Sequence, residues 1–131
     1  MNYKGIIIEE SLENKDVLKK VRILGTRVEK ITQRHQTPWL TEWTWNDIEV
    51  EEEKAQEIAE EISASIESAH PGSWFADFKN DTHHYIIFRN KVFCVDRSKE
   101  EQYAQARSYG VSIGIAEYQL AFHPDGEIWD R

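Results

Sequence analysis

Between Trp74 and Asp96 the chain carries Asp77, Lys79, His84, Tyr85, Arg89 and Asp96. These are residue types of general acid–base chemistry: carboxylates that take a proton, an imidazole or phenol that gives one, and a guanidinium that clamps an anion. Their spacing fits three short strands joined by turns at Asn80-Asp81 and Asn90-Lys91. Side chains on neighbouring strands then come within reach of one another. With Asn90-Lys91 as a two-residue turn, Arg89 faces Val92 and Tyr85 faces Asp96. The first turn has two readings. One puts Asp77 opposite His84 and makes a row Asp77–His84–Arg97. The other puts Asp77 opposite Tyr85 and makes a row Asp77–Tyr85–Asp96, in which two carboxylates flanking a tyrosine would raise one carboxyl pKa.

This cluster motivates a small acid–base enzyme, a hydrolase or isomerase. Asp77 would be the base, His84 or Tyr85 the acid, Arg89 the anion clamp, Asp96 the second carboxylate, and Lys79 a binding residue. The plainer reading of the same residues is a half-solvated sheet face with ordinary cross-strand ion pairs. Other chemistries lack their signatures. His83 and His84 are adjacent, so on a regular strand they point to opposite faces and cannot share an ion. Asp77-Phe-Lys79 has the acid and lysine of a nuclease hairpin but not the preceding acidic strand. There is no glycine-rich phosphate loop, nucleophile elbow or helical histidine pair. Neither a metal nor a cofactor is expected.

The second cluster is aromatic. Thr37-Pro-Trp-Leu-Thr-Glu-Trp-Thr-Trp45 holds three of the five tryptophans, and Trp43 and Trp45 share a strand face. Upstream lie Lys15, Lys19, Lys20, Arg22, Arg27, Lys30 and Arg34. Bases beside aromatics can form a single-strand nucleic-acid platform; the commoner outcome is a tryptophan core with bases along the sheet surface. The net charge of −8 disfavours a polyanion. Trp39 and Trp43 are instead candidate contacts for a protein partner.

The elements that must position these residues follow from periodicity. Gly5-Ile-Ile-Ile-Glu reads as a first strand, Ser11 to Lys20 as a loop or helical turn, and Val21 to Thr32 as a strand with a bulge at Gly25. Trp43 to Val50 is another strand. In Glu51 to Glu67 the residues Ala55, Ile58, Ala59, Ile62 and Ile66 make one apolar helical stripe, with Glu51, Glu52 and Glu53 complementing the dipole of the first turn and His70-Pro71-Gly72 as the stop. After the three-strand meander, Ser98-Lys-Glu-Glu101 fits a capping box. Tyr103, Ala106 and Tyr109 point inward from the second helix and Gly110 ends it. Val111 to Phe122 ends as a strand. The expectation is an α+β domain over residues 1–122, a mainly antiparallel sheet with two helices on one face, and a tail over 123–131.

Composition narrows the class of protein. With Cys94 as its one cysteine, the chain can form no internal disulfide, and Cys94 reads as a small buried hydrophobe. No apolar run approaches the roughly 20 residues of a membrane span, and the first ten residues do not read as a signal peptide. A cytoplasmic protein is expected. The charge is concentrated: residues 49–61 hold seven glutamates and one lysine, a net −6. That segment is a solvated helix face or an electrostatic surface for a basic partner. Without a catalytic signature, the leading expectation is a non-catalytic interaction or ligand-binding domain that meets its partner at the acidic helix 51–67 or around Trp39 and Trp43.

The stretches Gly5-Ile-Ile-Ile-Glu-Glu-Ser-Leu, Thr37-Pro-Trp, Asp77-Phe-Lys-Asn-Asp, His84-Tyr-Ile-Ile-Phe-Arg and Lys91-Val-Phe resemble those of a family of small prokaryotic hypothetical proteins. The resemblance covers most of the chain. It implies one intact domain of bacterial or archaeal origin and no catalytic residues.

Overall fold

The computed structural model describes residues 1–32, 37–70 and 74–120, the Tyr118 side chain excepted. Its strands are β1 (Tyr3–Ile8), β2 (Arg22–Lys30), β3 (Glu42–Val50), β4 (Ala76–Lys79), β5 (His83–Phe88) and β6 (Lys91–Asp96); its helices are α1 (Ala55–Ser65) and α2 (Glu100–Ser112). They build one sheet in the order β2-β3-β1-β4-β5-β6 with every neighbouring pair antiparallel. The fold class is α+β, as the residue pattern predicts.

β1 is the strand on which the two halves of the sheet meet, and Gly5 makes that junction possible. A Cβ there would lie 1.9 Å from the Asp77 carbonyl oxygen of β4, so only glycine lets the two backbones close. The isoleucines that follow are buried on both faces of the sheet, as a central strand requires. β2 carries the expected irregularity: the pairing with β3 shifts between Ile23 and Gly25.

The helices lie on opposite faces rather than on one. Tyr85 and Ile87 of β5 share a core with Ile58, Ala59 and Ile62 of α1. Ile86 and Phe88, of the other strand parity, share a core with Tyr103 and Ala106 of α2. Strand alternation supplies the reason, because β5 is apolar on both sides and each side needs a cover.

Several local expectations shift. α1 is shorter than its apolar stripe: Glu52–Lys54 forms a 3-10 turn before it, and Ile66 after it is already extended and bridges Leu12. Pro71 and Gly72 of the expected stop lie outside the described residues. The capping box does not form, since Lys99 is the N-cap and makes no side-chain bond, while the Ser98 hydroxyl donates to Asp96 Oδ1 at 2.6 Å. Gly110 sits inside α2, where a Cβ would come within 2.8 Å of both Leu120 methyl carbons. It is a packing glycine, and the left-handed turn after the helix falls at Gly114, φ 103°. Within 111–120 there is no strand but a 3-10 turn, Glu117–Gln119, with Leu120 buried in the α2 core; Phe122 lies outside the described residues. Cys94 is exposed on the edge strand β6 rather than buried.

Candidate functional site

Both meander turns are displaced from their expected centres. The Asn80 side-chain oxygen accepts from the backbone N–H groups of Thr82 and His83, each at 2.9 Å. This Asx-type turn moves the reversal onto Asp81-Thr82, so Lys79 pairs with His84 and Asp77 with Ile86. At the second turn Asn90 takes φ 57° and Lys91 already pairs with Phe88. Tyr85 therefore faces Cys94, and Asp96 faces His83.

These registers divide the expected catalytic cluster. Asp77 and His84 lie on the α2 face. Tyr85 lies on the α1 face, where its hydroxyl donates to Gln56 Oε1 at 3.2 Å. Burial, then the Cys94 thiol, push its phenol above the ordinary range. Arg89 sits in the turn, donates to the Ile66 carbonyl and lies 3.9 Å from Glu13. Asp96 is held below the usual carboxylate range by the hydroxyl and N–H of Ser98. Lys79 lies beside His84 on the α2 side. The row Asp77–Tyr85–Asp96 is not formed. The geometry that the acid–base expectation required, one shared face, is absent for these five residues.

What forms instead is a buried chain. His84 Nε2 is 2.6 Å from Asp77 Oδ2, and His84 Nδ1 is 3.1 Å from the Tyr103 hydroxyl of α2. One proton arrangement satisfies both contacts: the phenol donates to Nδ1 and Nε2–H donates to the carboxylate. Arg97 joins from beyond β6, donating to the Asn80 carbonyl at 2.6 Å. Burial raises the Tyr103 phenol; the Arg97 guanidinium pulls it back and the Asp77 charge raises it. Asp77 and His84 are each 2% exposed and Tyr103 is 0%. Asp77 Oδ1 has no hydrogen-bond partner among the described residues. Sequence reasoning pairs Asp77, His84 and Arg97 in one of its registers, but Tyr103 carries only its inward helical phase as a signal. Sealed beneath α2, the chain ties that helix to the sheet.

The aromatic segment splits between inside and outside. Trp43 is 2% exposed, donates to Thr37 Oγ1 at 2.9 Å and packs on Trp45 and Trp74. It is core and not a contact surface. Trp39 is 41% exposed and stacks on His70 with ring centroids 3.6 Å apart. Glu67 Oε1 holds this corner, 2.5 Å from His70 Nδ1 and 3.1 Å from the donating Trp74 Nε1.

The densest exposed charge is on α1 and the turn before it. Glu53, Glu57 and Glu60 recur at i, i+4 and i+7 and form one outward row. Glu53 and Glu57 make no ion pair or hydrogen bond with a described residue; Glu60 accepts only from Gln56, at 3.3 Å. The flanking acids are engaged: Glu61 by Lys20 at 2.6 Å and Glu52 by the N-terminal amine at 2.9 Å.

Among the described residues no three His, Cys, Asp or Glu side chains converge as a metal-binding group, and no helix is long and apolar enough to cross a membrane. Comparison of the chain with protein-family models, curated proteins and solved structures finds no match.

Proposed function

We propose that the chain is a non-catalytic cytoplasmic binding domain that meets a basic protein through the acidic ridge of α1. The observation that carries this reading is the exposed row Glu57 and Glu60 of α1 with Glu53 of the turn before it, none of which forms an ion pair with a described residue, the nearby Lys20 being paired with Glu61. Packing against the sheet through Ile58, Ala59 and Ile62 fixes the helix, so the carboxylates are presented without the ordering cost of a loop. A face of one sign steers and selects a partner of the opposite sign. Proteins that grip nucleic-acid phosphates carry such basic faces, and an acidic ridge that covers one would inhibit it.

The acid–base reading has less support, because its five residues occupy two faces and a turn, and the Asp77–His84–Tyr103 chain lies beneath α2. Capture from lysate of the producing cells tests the proposal. The wild type is expected to retain a basic protein that the variant Glu53→Lys/Glu57→Lys/Glu60→Lys loses and that the control Glu101→Lys/Glu117→Lys keeps. Equal capture by the ridge variant would end the proposal.

A further inference from the structure

β2 is an edge strand of nine residues, and eight of the nine are exposed. Its outer backbone is open to a further strand. Ile23, Leu24 and Val28, three of the six exposed large hydrophobics among the described residues, lie on it. A long, apolar, open edge is a feature that single-copy proteins avoid. The bulge decides what this edge can pair with. Arg22 and Glu29 are seven residues apart, so on a regular strand they would point to opposite faces. The extra residue between Ile23 and Gly25 removes that difference. Arg22 pairs with Glu49 and Glu29 with Trp43, two positions on one face of β3. Ile23 pairs with Ile48 and Val28 with Thr44, both on the other face.

We infer that β2 pairs antiparallel with β2 of a second copy about a two-fold axis at Thr26, joining the two sheets into one. In such a pair a residue on the axis faces itself, and opposed residues share a face. With Thr26 on the axis and the bulge passed over as it is toward β3, Gly25 faces Arg27, Ile23 faces Val28 and Arg22 faces Glu29. Each of these pairs shares a face, and each occurs twice. The apolar pair covers exposed side chains, and the charged pair is opposite in sign. Arg27 meets a glycine, and its guanidinium is held 4.6 Å from the ring centroid of its own Trp45. The adjacent registers fail on charge. An axis at Gly25 sets Arg22 opposite Arg27, and an axis at Arg27 sets that arginine opposite itself; like charges directly opposed are destabilising. A foreign strand of one charge would meet either Arg22 or Glu29 with its own sign. The second copy meets both with the opposite one. The contact uses none of the ridge residues of α1.

Sedimentation velocity of the purified protein from about 1 µM to about 1 mM is the test, since a single strand-to-strand contact is small and associates weakly. No partner protein is present, so the result is independent of the α1 reading. The wild type is expected to pass from monomer to dimer and to stop there, because a closed two-fold contact uses up the edge. Arg22→Glu and Glu29→Arg each place two like-charged pairs in the contact and should each dimerise at least about tenfold more weakly. Mixed in equal amounts they should regain it, since the Arg22→Glu copy offers two carboxylates to the two guanidiniums of the Glu29→Arg copy. The exchange Arg22→Glu/Glu29→Arg should dimerise as the wild type does, so misfolding of one single variant leaves the test in force. The inference is overturned if the wild type stays monomeric at the highest concentration or grows beyond a dimer. It is overturned as well if the single variants dimerise like the wild type, or if neither the mixture nor the exchange restores what they lose.

Discussion

His84 Nε2 lies 2.6 Å from Asp77 Oδ2, although the two residues are not directly opposed across β4 and β5. The contact is diagonal, and the other ring nitrogen reaches the Tyr103 hydroxyl. Because all three are buried, removing the imidazole should leave a buried carboxylate with no partner. His84→Ala is expected to cost about 3–5 kcal/mol. Tyr103→Phe, which loses one hydrogen bond and keeps the ring, should cost about 1 kcal/mol. Urea unfolding midpoints of the two variants check the order; equal costs would mean that the chain is not coupled as described.

The tyrosines give a pH test. Tyr3, Tyr85 and Tyr103 all have raised pKa values, with burial the largest cause in each. A phenol whose folded value exceeds its unfolded one leaves stability intact below the unfolded value, about pH 10. Stability then falls as pH rises toward the folded value, because the unfolded chain loses the proton first. Ultraviolet titration should show part of the tyrosine absorbance change appearing only as circular dichroism reports unfolding. A single ordinary transition in a still-folded protein would contradict the burial of these rings.

Much of the sheet is legible in the residues, and the reasons are local. The meander is written in turn-forming Asn80 and Asn90, α1 in its apolar stripe, and the β2 bulge in Gly25. The missing parts depend on longer range. The turn centres depend on the Asn80 side chain capping its own loop and on Asn90 entering positive φ. The opposite placement of the helices depends on which parity of β5 each one meets, which helix periodicity does not encode. Tyr103 could be read as inward-facing, but its partner is set by the register of β4 and β5 together with the docking of α2.

Two glycines should separate by the rigidity of what they meet. Gly5→Ala would drive a methyl against the Asp77 backbone carbonyl at 1.9 Å and should prevent folding. Gly110→Ala meets the Leu120 side-chain ends at 2.8 Å, which can shift, so a loss of about 1–3 kcal/mol is expected. Soluble yield and thermal melts compare them; a normally folded Gly5→Ala protein would refute the close approach of β1 to β4.

Reversing the ridge should leave the fold alone. Glu53, Glu57 and Glu60 are exposed, and single surface changes of this kind stay within about 0.5 kcal/mol. Thermal melts of Glu57→Lys should therefore match the wild type, whereas a large drop would give the ridge a structural role.

Contact through that ridge is tested most directly by the affinity of the captured partner measured over a range of salt concentrations. The predicted result is binding that weakens steeply with salt for the wild type and is at least about tenfold weaker in low salt for Glu53→Lys/Glu57→Lys/Glu60→Lys. Affinity and salt dependence that are the same for both proteins would contradict it.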